Sequence, residues 1–313
     1  MQNFMISFNI VCPIFLLMAL GYFMKQIGLI HSTAVKNMNA VVFKIFLPAM
    51  IFKNVYDSDL SAVFNPKLIV FSVTSVLVCI AVLFIIVPLF EKDNRKRGVL
   101  IQAMFRANFV IFGVPVSEAL CGSEVSGSAA VLIAIIIPIF NFMAVITLEA
   151  FKGGKPDLKK IVKGIITNPL IIASLLGIFT LFSGINLPVS IESTVGNVSK
   201  IATPLALIML GASINFKTIG VNITRIICGI CTKLIVIPLI FLSIAVFILD
   251  FRGADIAILL ALFASPPAVS SFTMAQQMGG DDELAGQLVM FGSTFSVITM
   301  FIWIYVIMQM GLL

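Results

Sequence analysis

The chain has 313 residues, 60% of them hydrophobic and only 11% charged, with a mean hydropathy of +1.15. A soluble domain carries about 25% charged residues. This composition leaves too little polar surface for a water-soluble particle and points to an all-α integral membrane protein. The net charge of +6 does not point to nucleic acid, because the excess cations sit in short loops between apolar stretches, as membrane topology requires.

A bilayer-crossing helix needs about 20 mostly apolar residues. Ten such spans are predicted, at 5–26, 33–56, 66–90, 98–121, 125–150, 165–185, 190–215, 222–249, 253–279 and 283–311. The first lacks a basic leader and runs too long for a cleavable signal, so it reads as a permanent helix. Polar punctuation between spans is short: EKDNRKRG at 91–98, KGGKPDLKKIVK at 152–163 and GGDDE at 279–283. The cytoplasmic loop 152–164 divides the chain into five-span halves, 1–151 and 165–313.

Lys and Arg orient these spans. With the N-terminus outside, the internal loops carry Lys25, Lys36, Lys92, Arg95, Lys96, Arg97, Lys152, Lys155, Lys159, Lys160, Lys163, Lys217 and Arg225. The external side holds only Lys53, Lys67 and Arg252. Both termini are then extracytoplasmic.

An internal repeat runs through the spans. Pro13, Gly21, Gly28, Lys44 and Pro48 recur 156 residues later as Pro169, Gly177, Gly184, Lys200 and Pro204. Spans 4 and 9 align at an offset of 158, where Ala103-Met104-Phe105 meets Ala261-Leu262-Phe263. Pro88, Pro138 and Pro238 have no partner at the 156 offset. A repeat of five spans is odd, so its second copy is inverted, a construction common among secondary transporters.

Spans 4 and 9 carry helix breakers near mid-membrane. Span 4 holds Arg106, Asn108, Gly113 and Pro115; span 9 holds Ser265, Pro266, Pro267, Ser270 and Ser271. Proline removes a backbone donor and crowds the preceding turn. Interrupted helices at matching places in two halves point to a transport site, with half-helix N-termini suited to an anion. Asn108 and the serines add directed hydrogen bonds.

The ionisable residues deepest in spans are Lys44, Arg106, Lys200 and Lys233, all cations, whereas the acids lie shallower. A sodium–proton exchanger needs paired carboxylates at the crossing, and none is visible. Buried cations beside positive helix ends call instead for an organic anion. Snorkelling of the lysines to the interface is the competing reading. Asn141 and Gln287 either line the same cavity or bond across helices. Cys228 and Cys231 form a C-x-x-C without a second pair and read as packing. His31 sits in a loop, and Tyr22, Tyr56 and Trp303 lie toward span ends, as interfacial anchors do.

The order of motifs is similar to that of the auxin efflux carrier family: Asn39 with Leu47-Pro48-Ala49 in span 2, Arg106-x-Asn108-x-x-x-Phe112-Gly113-x-Pro115 in span 4, Lys233 and Pro238 in span 8, and Ser265-Pro266-Pro267-Ala268 in span 9. The resemblance covers essentially the whole chain and reaches bacterial permeases for malate or malonate. It implies the fold of sodium–proton antiporters and bile-acid symporters, with broken crossover helices 4 and 9. Spans 1, 2, 6 and 7 form a scaffold; spans 3–5 and 8–10 form a moving transport domain. Asn108 falls on the asparagine of the family's Asn-Pro-Asn crossover, but Ala107 replaces its proline, and Pro115 comes later.

The expectation is a secondary transporter of the cell's inner membrane. It moves a small mono- or dicarboxylate by an elevator motion, with coupling to protons or Na⁺ left open and a homodimer allowed. No metal or cofactor is called for. An auxin-like aromatic carboxylate is the alternative cargo. A channel and a sensor are the readings from other classes, and an enzyme lacks any visible nucleophile or metal constellation.

Overall fold

The computed structural model describes residues 2–58, 65–152, 158–215 and 218–313. Lys155 and Lys217, called as loop cations, fall outside those residues. Helix α1 runs Gln2–Gln26, α2 Ser32–Tyr56 and α3 Pro66–Phe90. Then come α4 at Asn94–Phe105, α5 at Phe109–Cys121 and α6 at Ser126–Ala150. The second half holds α7 (Leu158–Ile166), α8 (Pro169–Ser183), α9 (Val189–Ser213) and α10 (Ile219–Ile248). It closes with α11 (Gly253–Ala264), α12 (Ser270–Met278) and α13 (Asp282–Gln309). Among the described residues there is no strand, only one isolated bridge, between Ala107 and Pro267.

Six helices (α2, α3, α6, α9, α10 and α13) are long and apolar enough to cross a membrane. Their outward faces are covered by large apolar side chains such as Leu89, Val189, Val221 and Phe247. A surface of that kind is stable only where the solvent is lipid, so the protein is membrane-embedded. Helix starts follow local chemistry. Asn65 Oδ1 accepts from the Leu68 N–H at 3.2 Å, with Pro66 at the first position; Asn168 does the same for Leu170 at 2.9 Å, ahead of Pro169. Asp281 caps α13 through the Leu284 N–H at 2.8 Å.

Three π turns, at Val42–Phe46, Phe109–Gly113 and Thr232–Val236, each end two residues before a proline, Pro48, Pro115 and Pro238, whereas a fourth at Ile244–Ile248 has no proline after it. The first three share a cause. A proline cannot donate to the carbonyl four residues back, and its ring pushes that carbonyl away. In α10 the carbonyl so released, Leu234 O, accepts the Trp303 Nε1–H at 2.9 Å. Trp303 therefore serves the interior hydrogen-bond ladder of a neighbouring helix.

Where α1 meets α9, close approach needs glycine on both helices. A Cβ on Gly21 of α1 would overlap the Ile208 carbonyl of α9, and one on Gly211 of α9 would overlap the Met18 carbonyl of α1. Gly177 of α8 meets α2 in the same manner: a Cβ there would stand 2.9 Å from Val55 Cβ and 3.3 Å from Phe52 O. The molecule's centre is α11, in which every residue from Ile256 to Ala264 is buried, together with the buried stretch Gly98–Phe105 of α4. A helix apolar on all sides belongs in the core.

Candidate functional site: the crossing of two interrupted helices

Helix α4 ends at Phe105, and Arg106 turns extended at φ −83°, ψ 104°. Helix α11 ends at Ala264, and Ser265 turns extended at φ −64°, ψ 147°. The two links pair antiparallel: the Asn108 N–H donates to Pro266 O at 2.8 Å and the Ala268 N–H donates to Arg106 O at 3.1 Å. Backbone groups freed inside a membrane thus satisfy one another. On one side the break follows from Pro266 and Pro267, which lack donors and bias the preceding residue away from the helix. On the other side no proline is present.

This places the span 4 break at Arg106–Asn108, a correction to its assignment to Pro115. Pro115 sits inside α5, where the π turn Phe109–Gly113 absorbs its missing donor. Arg106 lies in the break itself. Gly113 allows α5 to touch α11: a Cβ there would stand 2.7 Å from Ala261 O and 2.8 Å from Ser265 Oγ. Its role is helix contact, and it does not line the cavity.

Beside the crossing lies a cavity of about 260 Å³. One wall is Leu47, Met50, Ile51 and Asn54 of α2 with Ser199, Lys200, Thr203 and Ala206 of α9. The other wall is Arg106–Ile111, Ala268–Ser270 and, from α6, Ile137, Phe140 and Asn141. The first residues of α5 and α12 therefore both face it, and the first N–H groups of a helix have no acceptor within the helix. No Asp or Glu lines the cavity among the described residues, whereas Arg106 and Lys200 do.

Asn108 and Asn141 are buried, and the Nδ2 of each has no partner among the described residues. The Asn141 Oδ1 is taken: Arg106 Nη2 donates to it at 2.6 Å, while Arg106 Nη1 rests on Met274 Sδ at 2.9 Å. Arg106 is buried and pairs with no carboxylate among the described residues. The site gathers two unpartnered asparagine NH₂ groups beside a buried positive charge, an arrangement that suits an anion.

Other expected residues fall as follows. Ser270 lines the cavity. Ser265 Oγ donates to Ala261 O, back into its own helix. Ser271 is buried with its Oγ unpartnered and does not line the cavity. Pro266 and Pro267 shape the crossing, with Pro267 packed on Gly292 of α13. Lys44 is exposed on α2 and Lys200 is exposed toward the cavity, so neither is a buried charge; Lys233 is, at 1% exposure, and it does not line the cavity. Gln287 lines a second cavity of about 320 Å³ with Lys25, Asp282 and Glu283. It accepts from Asn222 Nδ2 at 2.9 Å and donates to Thr218 Oγ1 at 3.1 Å. Asn141 and Gln287 thus do not share a cavity.

Of the α2 and α9 wall, Lys200 was singled out in the sequence and the rest went unrecognised. Its signal was a stripe at helical spacing, Leu47-Ile51-Asn54 on one helix and Ser199-Thr203-Ala206 on the other. Asn39 of α2, fully buried, reaches α12: Thr273 Oγ1 donates to its Oδ1 at 2.8 Å and its Nδ2 donates to Gln276 Oε1 at 2.6 Å. Gln276 in turn donates to Asp282 Oδ2 at 2.9 Å.

The chain is 25% identical over 302 residues to an uncharacterized transporter of Methanothermobacter thermautotrophicus, covering 96% of this chain and 98% of the relative. It is 24% identical over 312 residues to an uncharacterized transporter of Methanocaldococcus jannaschii, covering 97% of this chain and all of the relative. The family model described as membrane transport protein matches residues 6–304, in line with the carrier resemblance read from the motifs, and the chain belongs to that family.

Proposed function

We propose that this protein is a secondary transporter that carries a small organic anion, a mono- or dicarboxylate such as malate or malonate, bound at the helix crossing. One observation carries the reading. The cavity is lined by Arg106, Asn108, Asn141, Lys200 and the first residues of α5 and α12, and no carboxylate lines it among the described residues. Each of these groups prefers an acceptor or a negative charge. The volume of about 260 Å³ lies below the roughly 300–1,000 Å³ of drug-sized ligand sites. Most of the lining is apolar, including Phe109, Ile137 and Phe140, which also favours a carboxylate with a hydrocarbon or aromatic body, the auxin-like alternative.

On this reading ten spans form two inverted repeats, 1–151 and 165–313, with both termini outside the inner membrane. The matched glycine contacts agree with that symmetry. Exchanging spans 1 with 6 and 2 with 7 turns the α1–α9 contact at Gly21 into the α8–α2 contact at Gly177. Helices α1, α2, α8 and α9 are the scaffold. The remaining spans carry the crossing past it in an elevator motion, driven by a proton or Na⁺ gradient or by the anion's own gradient.

The test is uptake of labelled malonate and malate, with indole-3-acetate as the aromatic probe, into proteoliposomes. Wild type should accumulate at least one of the three. Asn108→Ala should cut the rate more than tenfold, since a hydrogen bond to a charged group contributes about 1.5–3 kcal/mol. Unchanged uptake in Asn108→Ala and in the Pro266→Ala, Pro267→Ala double variant would remove the crossing from the mechanism.

A further inference from the structure

We infer that Arg106 is a positioning residue, and that by holding the oxygen of Asn141 it makes Asn141 a donor-only, specificity-determining contact for the anion. The inference rests on the anion reading of the cavity and assigns within it which side chain touches the cargo and which acts through another.

The orientation of an asparagine amide is set by its partners, because its two ends differ only in being donor or acceptor. Here one partner leaves no choice. A guanidinium has five donors and no acceptor. Its Nη2 lies 2.6 Å from one end of the Asn141 amide, so that end is the oxygen. The NH₂ group is then turned away from Arg106. Asn141 is fully buried, lines the cavity, and its Nδ2 has no partner among the described residues. The pair converts an amphoteric side chain into a fixed donor.

Arg106 is itself anchored. Its backbone oxygen accepts from the Ala268 N–H at 3.1 Å across the crossing, and its Nη1 sits against Met274 Sδ of α12. The arginine joins the broken link, α12 and α6, so the donor direction is tied to the integrity of the crossing. A donor-only group rewards a carboxylate, which accepts and never donates. It penalises a primary amide that turns its own NH₂ toward Asn141, because two donors then face each other unpaired in a dry site, an arrangement that discriminates strongly.

The test is a double-mutant cycle read by ligand-induced thermal shift on the purified full chain, with malonate, malate and indole-3-acetate and their primary amides. Asn141→Ala should weaken carboxylate binding about tenfold to a hundredfold. Arg106→Met should weaken it by a similar factor and lower the carboxylate-to-amide preference, since the released Asn141 amide is free to turn. The decisive quantity is the double variant. If Arg106 acts through Asn141, adding Arg106→Met to Asn141→Ala changes binding less than about threefold. If Arg106 acts on the anion directly, its full effect persists in the Asn141→Ala background and the inference is wrong. Arg106→Lys retains a donor and should recover binding to within about fivefold. It also guards against misfolding of the methionine variant. No shift of wild type by any carboxylate would sink the anion reading and the inference together. A wild-type shift with additive variants sinks the inference alone.

Discussion

At the residue scale, Trp303 and Pro238 show how one missing N–H is answered from another helix. Pro238 leaves Leu234 O without its helical donor, and the indole N–H of Trp303 takes that place at 2.9 Å. Trp303→Phe should therefore lower stability by about 0.6–1.7 kcal/mol, the range for interhelical hydrogen bonds in membranes. The cost should shrink in a Pro238→Ala background, where the substituted residue's own backbone N–H supplies the donor. Thermal unfolding of the four proteins of that cycle checks it; equal costs in both backgrounds would show that the indole contributes by packing. Pro238 was plain in the sequence, but its partner lies 65 residues away, and no periodicity links the two. Arg106 and Asn141 are the same kind of pair, 35 residues apart, with both residue types visible and their orientation decided only by contact.

At the element scale, the crossing depends on how near α5 comes to α11. Gly113→Val would drive methyl groups into the Ala261 carbonyl, which is backbone and cannot yield. Expanding such a contact costs about 1–3 kcal/mol. The expected result is a lower unfolding temperature together with uptake reduced more than tenfold; normal uptake would mean that the helices separate without harm. The contact of Asn39 with Thr273 and Gln276 joins α2 to α12 and, on the elevator reading, bridges scaffold and transport domain. Asn39→Ala leaves the cavity lining intact, so anion affinity should stay within about threefold while the transport rate changes, because only the balance between states is altered. Equal changes in both would tie Asn39 to the site itself. Proline pairs and apolar runs made the helices legible, and the observed ranges follow the predicted spans within a few residues at most ends. The break in span 4 was misplaced because its cause is the backbone pairing with Pro266 and Ala268, not a residue of its own.

At the scale of the whole molecule, a polar belt ties loop to helix at the end expected to be cytoplasmic. Glu91, between α3 and α4, forms an ion pair with Arg225 of α10, and Lys96 lies 4.0 Å from Asp281. Burial pushes the Glu91 carboxyl up, but its hydrogen bonds from Arg225 and from the Asp93 N–H outweigh that and hold it below the ordinary value. A depressed carboxylate adds stability above its unfolded value, near pH 4.5. That stability is lost as pH falls through the folded value. Wild type should therefore lose thermal stability on acidification below about pH 4.5 more steeply than Glu91→Gln, whose side chain does not titrate. Parallel acid limbs would show that the pair contributes nothing there. Topology is testable in the same belt. With the five native cysteines replaced, Lys92→Cys should react with an impermeant maleimide only from the cytoplasmic side. Labelling from outside would invert the arrangement.

The sequence by itself determined that this is a helical membrane protein and, to within a few residues at most ends, where its helices begin and end. Those properties follow from composition and from helix breakers acting within a few residues, and they need no partner. It also showed that the ionisable residues nearest the middle of the spans are cations. Only the tertiary structure decided which polar groups converge. Lys44 and Lys233 look equivalent to Lys200 in a string of letters, yet of the three only Lys200 reaches the cavity. Burial and direction depend on which neighbouring helix covers a face, and the α1–α9 and α2–α8 contacts set that through glycines far apart in the chain. The donor character of the site is likewise a tertiary property, since an asparagine is donor or acceptor according to the group that holds its other end.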